Sequence, residues 1–131
     1  MFQITINKRV EPIHALIIEI LGTFLLTYSV LCQGDKNAKL TNEKSVSTFV
    51  ISMALFASAN IAGNVSGGCI DPAIEFAQNF IRLLITGEVK ECKYLWIYIV
   101  GPTIGAVGAA YLYNNFFSYF FTKNEDKTQM I

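Results

Sequence analysis

Apolar residues along this chain gather into three long blocks separated by short charged stretches. The first block runs over residues 13–32, the second over 46–62, and the third over 95–113 with a possible continuation to 121. Roughly 20 apolar residues in succession match the roughly 30 Å hydrocarbon thickness of a bilayer, so each block predicts a membrane-spanning helix. The first block holds a single acidic residue, Glu19. The second is interrupted by Ser47, Thr48, Ser52, Ser58 and Asn60, residue types that suit contact with other helices rather than with lipid. The third carries Gly101, Gly105, Gly108 and Ala109, a face of small residues on which another backbone can pack closely.

Between the second and third blocks the pattern changes. Gly63, Gly67 and Gly68 fall within six residues and break the helix. Asp71 followed by Pro72 then restarts one, because Asp caps a helix N-terminus and Pro fits its first position. The segment from Pro72 to Ile85 is about 14 residues, too short to span. Residues 63–85 therefore predict a re-entrant loop and half-helix. Non-helical backbone at membrane depth is tolerated only when buried in protein or lining a wet cavity, which points to a pore or a substrate site. The expected organisation is a polar lead over 1–12, a membrane unit over 13–121, and a polar tail over 122–131. The fold class is an all-α membrane protein with three transmembrane helices plus one re-entrant half-helix. No repeat is visible within the chain.

Composition agrees with the pattern. The chain has 131 residues, of which 53% are hydrophobic and 15% charged, against about 25% charged in soluble domains. The lipid bilayer is thus the first expected partner. Ten basic and ten acidic side chains cancel, and no basic patch with interleaved aromatics suggests nucleic acid. Cys32, Cys69 and Cys92 form no CxxC pair, so neither a disulfide framework nor a zinc site is indicated, and no metal or cofactor is expected. Lys8 and Arg9 precede the first block, but that block is longer than a signal peptide's apolar region and no A-x-A-like cleavage site follows it, so it reads as a retained span. Charge does not orient the spans. Lys36, Lys39, Lys44, Lys123 and Lys127 would face one side, and Lys8, Arg9, Arg82, Lys90 and Lys93 the other.

The stretch Ser66-Gly67-Gly68-Cys69-Ile70-Asp71-Pro72-Ala73 resembles the Asn-Pro-Ala loop of the major intrinsic protein, or aquaporin, family. Glu19-Ile-Leu-Gly-Thr23-Phe24 is similar to the Glu-x-x-x-Thr-Phe signature that opens the first helix of each repeat in that family. Tyr98-Ile-Val-Gly101-Pro102-x-x-Gly105-Ala106 is similar to the Gly-Pro-x-x-Gly of its sixth helix. In this order the motifs resemble the C-terminal half of such a channel, over residues 13–115, and the Ser-Gly-Gly-Cys lead-in looks closer to divergent, protist-type members. The resemblance implies a first helix equivalent to helix four, and an N-terminal half that this sequence lacks. Since a pore of this family needs both halves, the expectation is either a fragment or a chain that pairs. Complete channels of the family form tetramers.

The same resemblance assigns roles. Asp71, Pro72 and Ala73 take the place of Asn-Pro-Ala. An Asp can cap a helix but has no N–H to offer the pore, and a carboxylate at mid-membrane is costly unless solvated or paired. Ile74 stands where the family's selectivity arginine stands, and Ala59 where an aromatic or His residue stands. Both changes remove polar bulk and imply a wide, apolar constriction. Cys69 would lie beside it, either as a mercury-sensitive thiol or as a small packing residue. Glu19, with Ser66 and Gly67, would support the loop through backbone N–H bonds. Gly101, Pro102 and Gly105 would pack the last helix. Glu75 and Arg82, seven residues apart, share one face of the half-helix. Asn64-Val65-Ser66 fits a glycosylation acceptor but lies close to the membrane. His14 is a lone interfacial residue. Tyr94, Trp96 and Tyr98, and the aromatics over 116–121, read as interface belts.

Four functions compete. The leading one is a passive channel, or a subunit or half of one, for water and small neutral solutes such as glycerol, with selectivity set by pore width and electrostatics. The alternative is a non-conducting or regulatory half-channel, or a gene fragment needing an N-terminal half, motivated by Asp71 and Ile74. Half of a secondary transporter also uses broken helices, but the Glu19 and Gly101-Pro102 motifs argue against it. An enzyme is least expected, with one histidine in the chain and no nucleophile or phosphate-loop constellation.

Overall fold

A computed structural model describes residues 10–36, 38–39, 41–87 and 92–117. Among the described residues there are four α-helices: α1 (Pro12–Gly34), α2 (Lys44–Gly63), α3 (Pro72–Thr86) and α4 (Leu95–Leu112). A 3-10 turn, Cys92–Tyr94, leads into α4, and a π turn, Tyr113–Phe117, extends it. Among the described residues three helices are long and apolar enough to cross a bilayer: α1, α2 and the stretch Leu95–Phe116. Helix α3, with 15 residues, reaches about 22 Å at 1.5 Å per residue and falls short of a bilayer's hydrocarbon thickness.

The boundaries differ from the sequence expectation by one or two residues. Helix α1 runs past Cys32 to Gly34 and carries Gln33 into a buried position. Helix α2 starts at Lys44 and ends at Gly63, so the first loop glycine closes the helix. Residues 118–121, the far end of the possible third-span continuation, lie outside the described residues, as do residues 1–9 and the tail.

Polarity runs inside out. Glu19, Thr23, Gln33, Ser58, Ser66 and Glu75 are buried, while Phe49, Phe56, Ile81, Leu84, Ile85, Val107 and Tyr111 are exposed. In water this would be an aggregating surface. In lipid it is the low-energy arrangement, because apolar faces meet acyl chains and polar groups find each other within the bundle.

Helix α1 is the hub, packing on both α2 and α4, while α3 touches α4. Glycine makes the α1–α4 approach possible. A Cβ on Gly101 would lie 2.9 Å from the Glu19 Cβ, and one on Gly105 would overlap the Ile20 carbonyl oxygen and sit 3.1 Å from the Phe24 nitrogen. The Gly105 contact is with the α1 backbone itself and the Gly101 contact with the root of the Glu19 side chain, so a larger residue at either position would force the helices apart. On the other side of α1, Gly22 admits Ser58 of α2 and Ile70 of the following loop. At the far end, Tyr28 meets Tyr113 edge-on at 6.2 Å, and the Tyr113 hydroxyl donates to Asp35. Pro102 lies inside α4 and is buried. The Thr103 hydroxyl, one residue on, donates to the Ile99 carbonyl at 2.6 Å, the type of side-chain bond that settles the backbone around a proline in a span.

The glycine contacts give a direct test. Gly105→Ala should lower stability by about 1–3 kcal/mol, the range for inserting a methyl into a closed contact. Gly34→Ala, where nothing lies within 4 Å, should change it by less than about 0.5 kcal/mol. Thermal unfolding of both variants in detergent, followed by circular dichroism, would refute the packing account if the two shifts were equal.

Candidate functional site

After α2 the chain turns back on itself. The Val65 and Ser66 amides both donate to the Ala62 carbonyl, at 3.1 and 2.9 Å. Gly67 and Gly68 then adopt φ of 90° and 70°. At Gly68 a side chain is excluded twice over, since its φ is left-handed and a Cβ would lie 2.7 Å from the Ala59 carbonyl oxygen. Ala59, half-buried on α2, thus meets the loop through its backbone.

Ile70 has φ 43°. A β-branched residue in that region is strained, at a cost of about 1–3 kcal/mol, and persists only where its surroundings over-determine it. Two contacts do so. Its amide donates to Glu19 Oε2 at 2.9 Å, and its Cγ2 fills the notch over Gly22, where a Cβ would come within 3.0 Å of it.

Glu19 anchors the loop a second time. The Ser66 hydroxyl donates to Glu19 Oε1 at 2.5 Å. It also approaches the Ala62 carbonyl at 3.2 Å. From α4, the Tyr98 hydroxyl donates to the Ser66 carbonyl at 2.5 Å. Glu19 and Ser66 are fully buried and Tyr98 is 2% exposed. Gly101, one turn beyond Tyr98, lets the Glu19 stem lie against α4. Three segments distant in sequence, from α1, the loop and α4, therefore meet at one carboxylate.

Asp71 ends the loop. Its backbone is extended and its Oδ1 accepts from the Ala73 amide at 2.8 Å, capping α3, with Pro72 beginning the helix. Gly87, with φ 67°, closes the other end and donates to the Leu83 carbonyl at 3.0 Å. Asp71, Ala73 and Ile74 are exposed, Ile74 to 48%. Cys69 is buried and its thiol donates to the Asp71 carbonyl at 3.0 Å. Glu75 is 4% exposed and accepts from Asn79 at 2.8 Å. The structure thus brings Glu19, Ser66, Gly67, Cys69 and Asp71 into one loop cluster beside Gly101, and leaves Ile74 on its open side. Gly105 lies in the α1–α4 contact, and Pro102 is buried within α4. Ser66, the hydroxyl of the Asn64-Val65-Ser66 pattern, is buried and bonded to Glu19. Among the described residues no group of three or more His, Cys, Asp or Glu is placed to hold a metal ion.

Tyr98 is the residue that sequence reasoning misplaced. It stands near the start of an apolar span beside Trp96 and reads as an interface aromatic, yet it is buried and fastens the loop. The signal was its spacing. Tyr98, Gly101 and Gly105 recur at i, i+3 and i+7, so a tyrosine on the glycine face must point inward.

Comparison with known proteins shows what the sequence is similar to. The family model described as "Major intrinsic protein" matches residues 1–113. "Aquaporin NIP1-1" of Zea mays is 29% identical over 104 residues, covering 79% of this chain and 33% of that protein. "Aquaporin-8" of Botryotinia fuckeliana is 32% identical over 117 residues, covering 86% of this chain and 32% of its own length. "Aquaporin AqpM" of Methanothermobacter marburgensis is 30% identical over 101 residues, with 76% and 39% covered. The chain spans about a third of the length of these curated relatives.

Removing the Glu19 carboxylate should release the loop. Glu19→Ala strands the Ile70 amide at about 1–3 kcal/mol and leaves the Ser66 hydroxyl with the Ala62 carbonyl alone. Tyr98→Phe deletes only one donor and should cost about 1–2 kcal/mol. Hydrogen exchange at the Ile70 amide should accelerate strongly in Glu19→Ala and modestly in Tyr98→Phe. Unchanged exchange in both would mean the loop is held by something else.

Proposed function

The chain belongs to the major intrinsic protein family of multi-pass membrane proteins, and we propose that it forms one half of a passive transmembrane channel for water and small neutral solutes such as glycerol. The observation that carries this reading is the Glu19 anchorage of the loop. Fixed, non-helical backbone at the depth of a span is expensive to build, and two hydrogen bonds from Ser66 and Ile70 to one buried carboxylate hold it in place. Beyond it, Asp71 starts a helix too short to cross. A helix that begins midway would turn its N-terminus toward a pore completed by a second half, which is where a permeating solute would pass.

A second half completes the pore, either an N-terminal half with its own half-helix or a second copy of this chain. Complete channels would assemble as tetramers, as the family resemblance implies. The apolar outer surface of α3, with Phe76 stacked on Phe80 at 6.2 Å and Ile81 and Leu84 beside them, suits burial against such a partner. Solute choice would follow from the constriction. Ile74 is exposed and apolar, and Ala59 is small, so the opening would be wide and would lack a fixed cation. The relatives' printed names, all aquaporins, support permeation of water. The reaction needs no bond chemistry, only width, hydrogen-bonding groups and field.

Stopped-flow light scattering of proteoliposomes containing the chain tests this. Osmotic shrinkage clearly faster than empty vesicles, with glycerol also entering, is the expected result. Water passing while glycerol is wholly excluded would sink the wide constriction. A rate equal to the lipid control, from protein shown to be inserted and folded, would leave the chain as a half that does not conduct by itself, and co-reconstitution with an N-terminal half would then have to restore flux.

A further inference from the structure

The far junction of α1 and α4 is fastened by side chains that the loop site does not use. Asp35 caps the end of α1, about 24 Å from Glu19 along the axis at 1.5 Å per residue. Its side chain accepts from the Tyr113 hydroxyl, and its carbonyl accepts from the Lys39 amide at 3.1 Å. One residue thus joins the end of α1, the start of the α1–α2 loop and the end of α4. Tyr113 is 6% exposed and meets Tyr28 edge-on at 6.2 Å. Tyr28 is itself held on α1, its ring stacked on Phe24 at 6.0 Å and its hydroxyl donating to the Cys32 sulfur.

Tyr113 is also where the ladder of α4 changes pitch. Its amide is shared between the Ala109 and Ala110 carbonyls, and the five residues Tyr113–Phe117 wind as a π turn. Turns of this i→i−5 kind are rare, so something must favour one. Two contacts do. The clasp on Asp35 draws Tyr113 toward α1. The Asn115 side chain donates to the Tyr111 carbonyl at 2.9 Å, the group that the Asn115 backbone amide would take in an α pattern. A side-chain bond of this kind competes with the backbone ladder.

We propose that this junction is a conformational latch, in which the Tyr113–Asp35 clasp and the π turn of α4 form and release together. Latched, the start of the α1–α2 loop is tied to the last span. Released, Tyr113–Phe117 winds on as α-helix and the loop start is free of α4. The exchange needs no large motion, because packed elements switch between discrete arrangements rather than deform continuously. The latch lies apart from the Glu19 anchorage and does not depend on the channel reading.

Hydrogen exchange and side-chain amide resonances of the full chain in lipid nanodiscs test this. The two reporters lie on opposite sides of the clasp: the Lys39 backbone amide on the loop and the Asn115 side-chain amide on α4. Coupling between two sites is reciprocal. Asn115→Ala, an alteration on α4, should speed exchange at Lys39 by about fivefold or more, the lower end of typical coupling. Tyr113→Phe keeps the ring and removes the donor; it should speed Lys39 equally and shift the Asn115 side-chain amide resonance. An Asn115→Ala chain in which Lys39 exchanges as before overturns the inference and leaves two independent local bonds. So does a Tyr113→Phe chain whose Asn115 resonance stays in place. Acceleration shared equally by the Ile70 amide would be general loosening and overturns it as well.

Discussion

A carboxylate inside an apolar span must be satisfied, and the way this chain satisfies Glu19 organises everything around it. Glu19 has no water to turn to on α1, so its two oxygens take the Ser66 hydroxyl and the Ile70 amide. That requirement draws a glycine-rich segment down to the middle of α1 and holds Ile70 in a conformation it would otherwise leave. With Ile70 fixed, Asp71 lies where it can cap α3, and the direction in which α3 points is set. The loop, the cap and the half-helix are all downstream of one buried carboxyl group. The dependence is mutual, for without the loop Glu19 would face lipid alone.

Close approach of helices is the second requirement. The Glu19 stem and the loop occupy space beside α4 only because Gly101 and Gly105 bring that helix into backbone contact with α1. Gly22 does the same for Ser58 and Ile70 on the opposite side. In lipid, where apolar association between helices gains little, such contacts and the hydrogen bonds they enclose supply most of the cohesion. The small residues and the polar cluster thus act as one unit.

Much of this was legible in the residues. The three spans follow from block length, and the break after α2 from its glycines. The start of α3 follows from Asp71 and Pro72, because capping is a local matter settled by adjacent positions. What was not legible is what depends on tertiary closure. The inward role of Tyr98 needs the face of α4 to be known first. The left-handed φ of Ile70 runs against its own side chain, so no local rule announces it. Glu75 is placed by spacing only on the face it shares with Arg82, and its burial emerges only when α3 lies against its neighbours. The extension of α1 through Gln33 shows the same limit at smaller scale, since a polar residue ended the apolar block while packing carried the helix on.

The Tyr98 hydroxyl bond also fixes an order of assembly. Ser66 and Tyr98 are 32 residues apart, and Glu19 precedes Ile70 by 51. A ribosome making this chain therefore delivers α1 to the bilayer, then α2 and the loop, and only afterwards the helix that fastens them. In that interval Glu19 and the loop must serve each other without α4, within whatever shelter the insertion machinery provides. The last span is thus a bolt as well as a wall, and a nascent chain stalled before it would hold its costliest backbone in the membrane with one of its three fastenings missing.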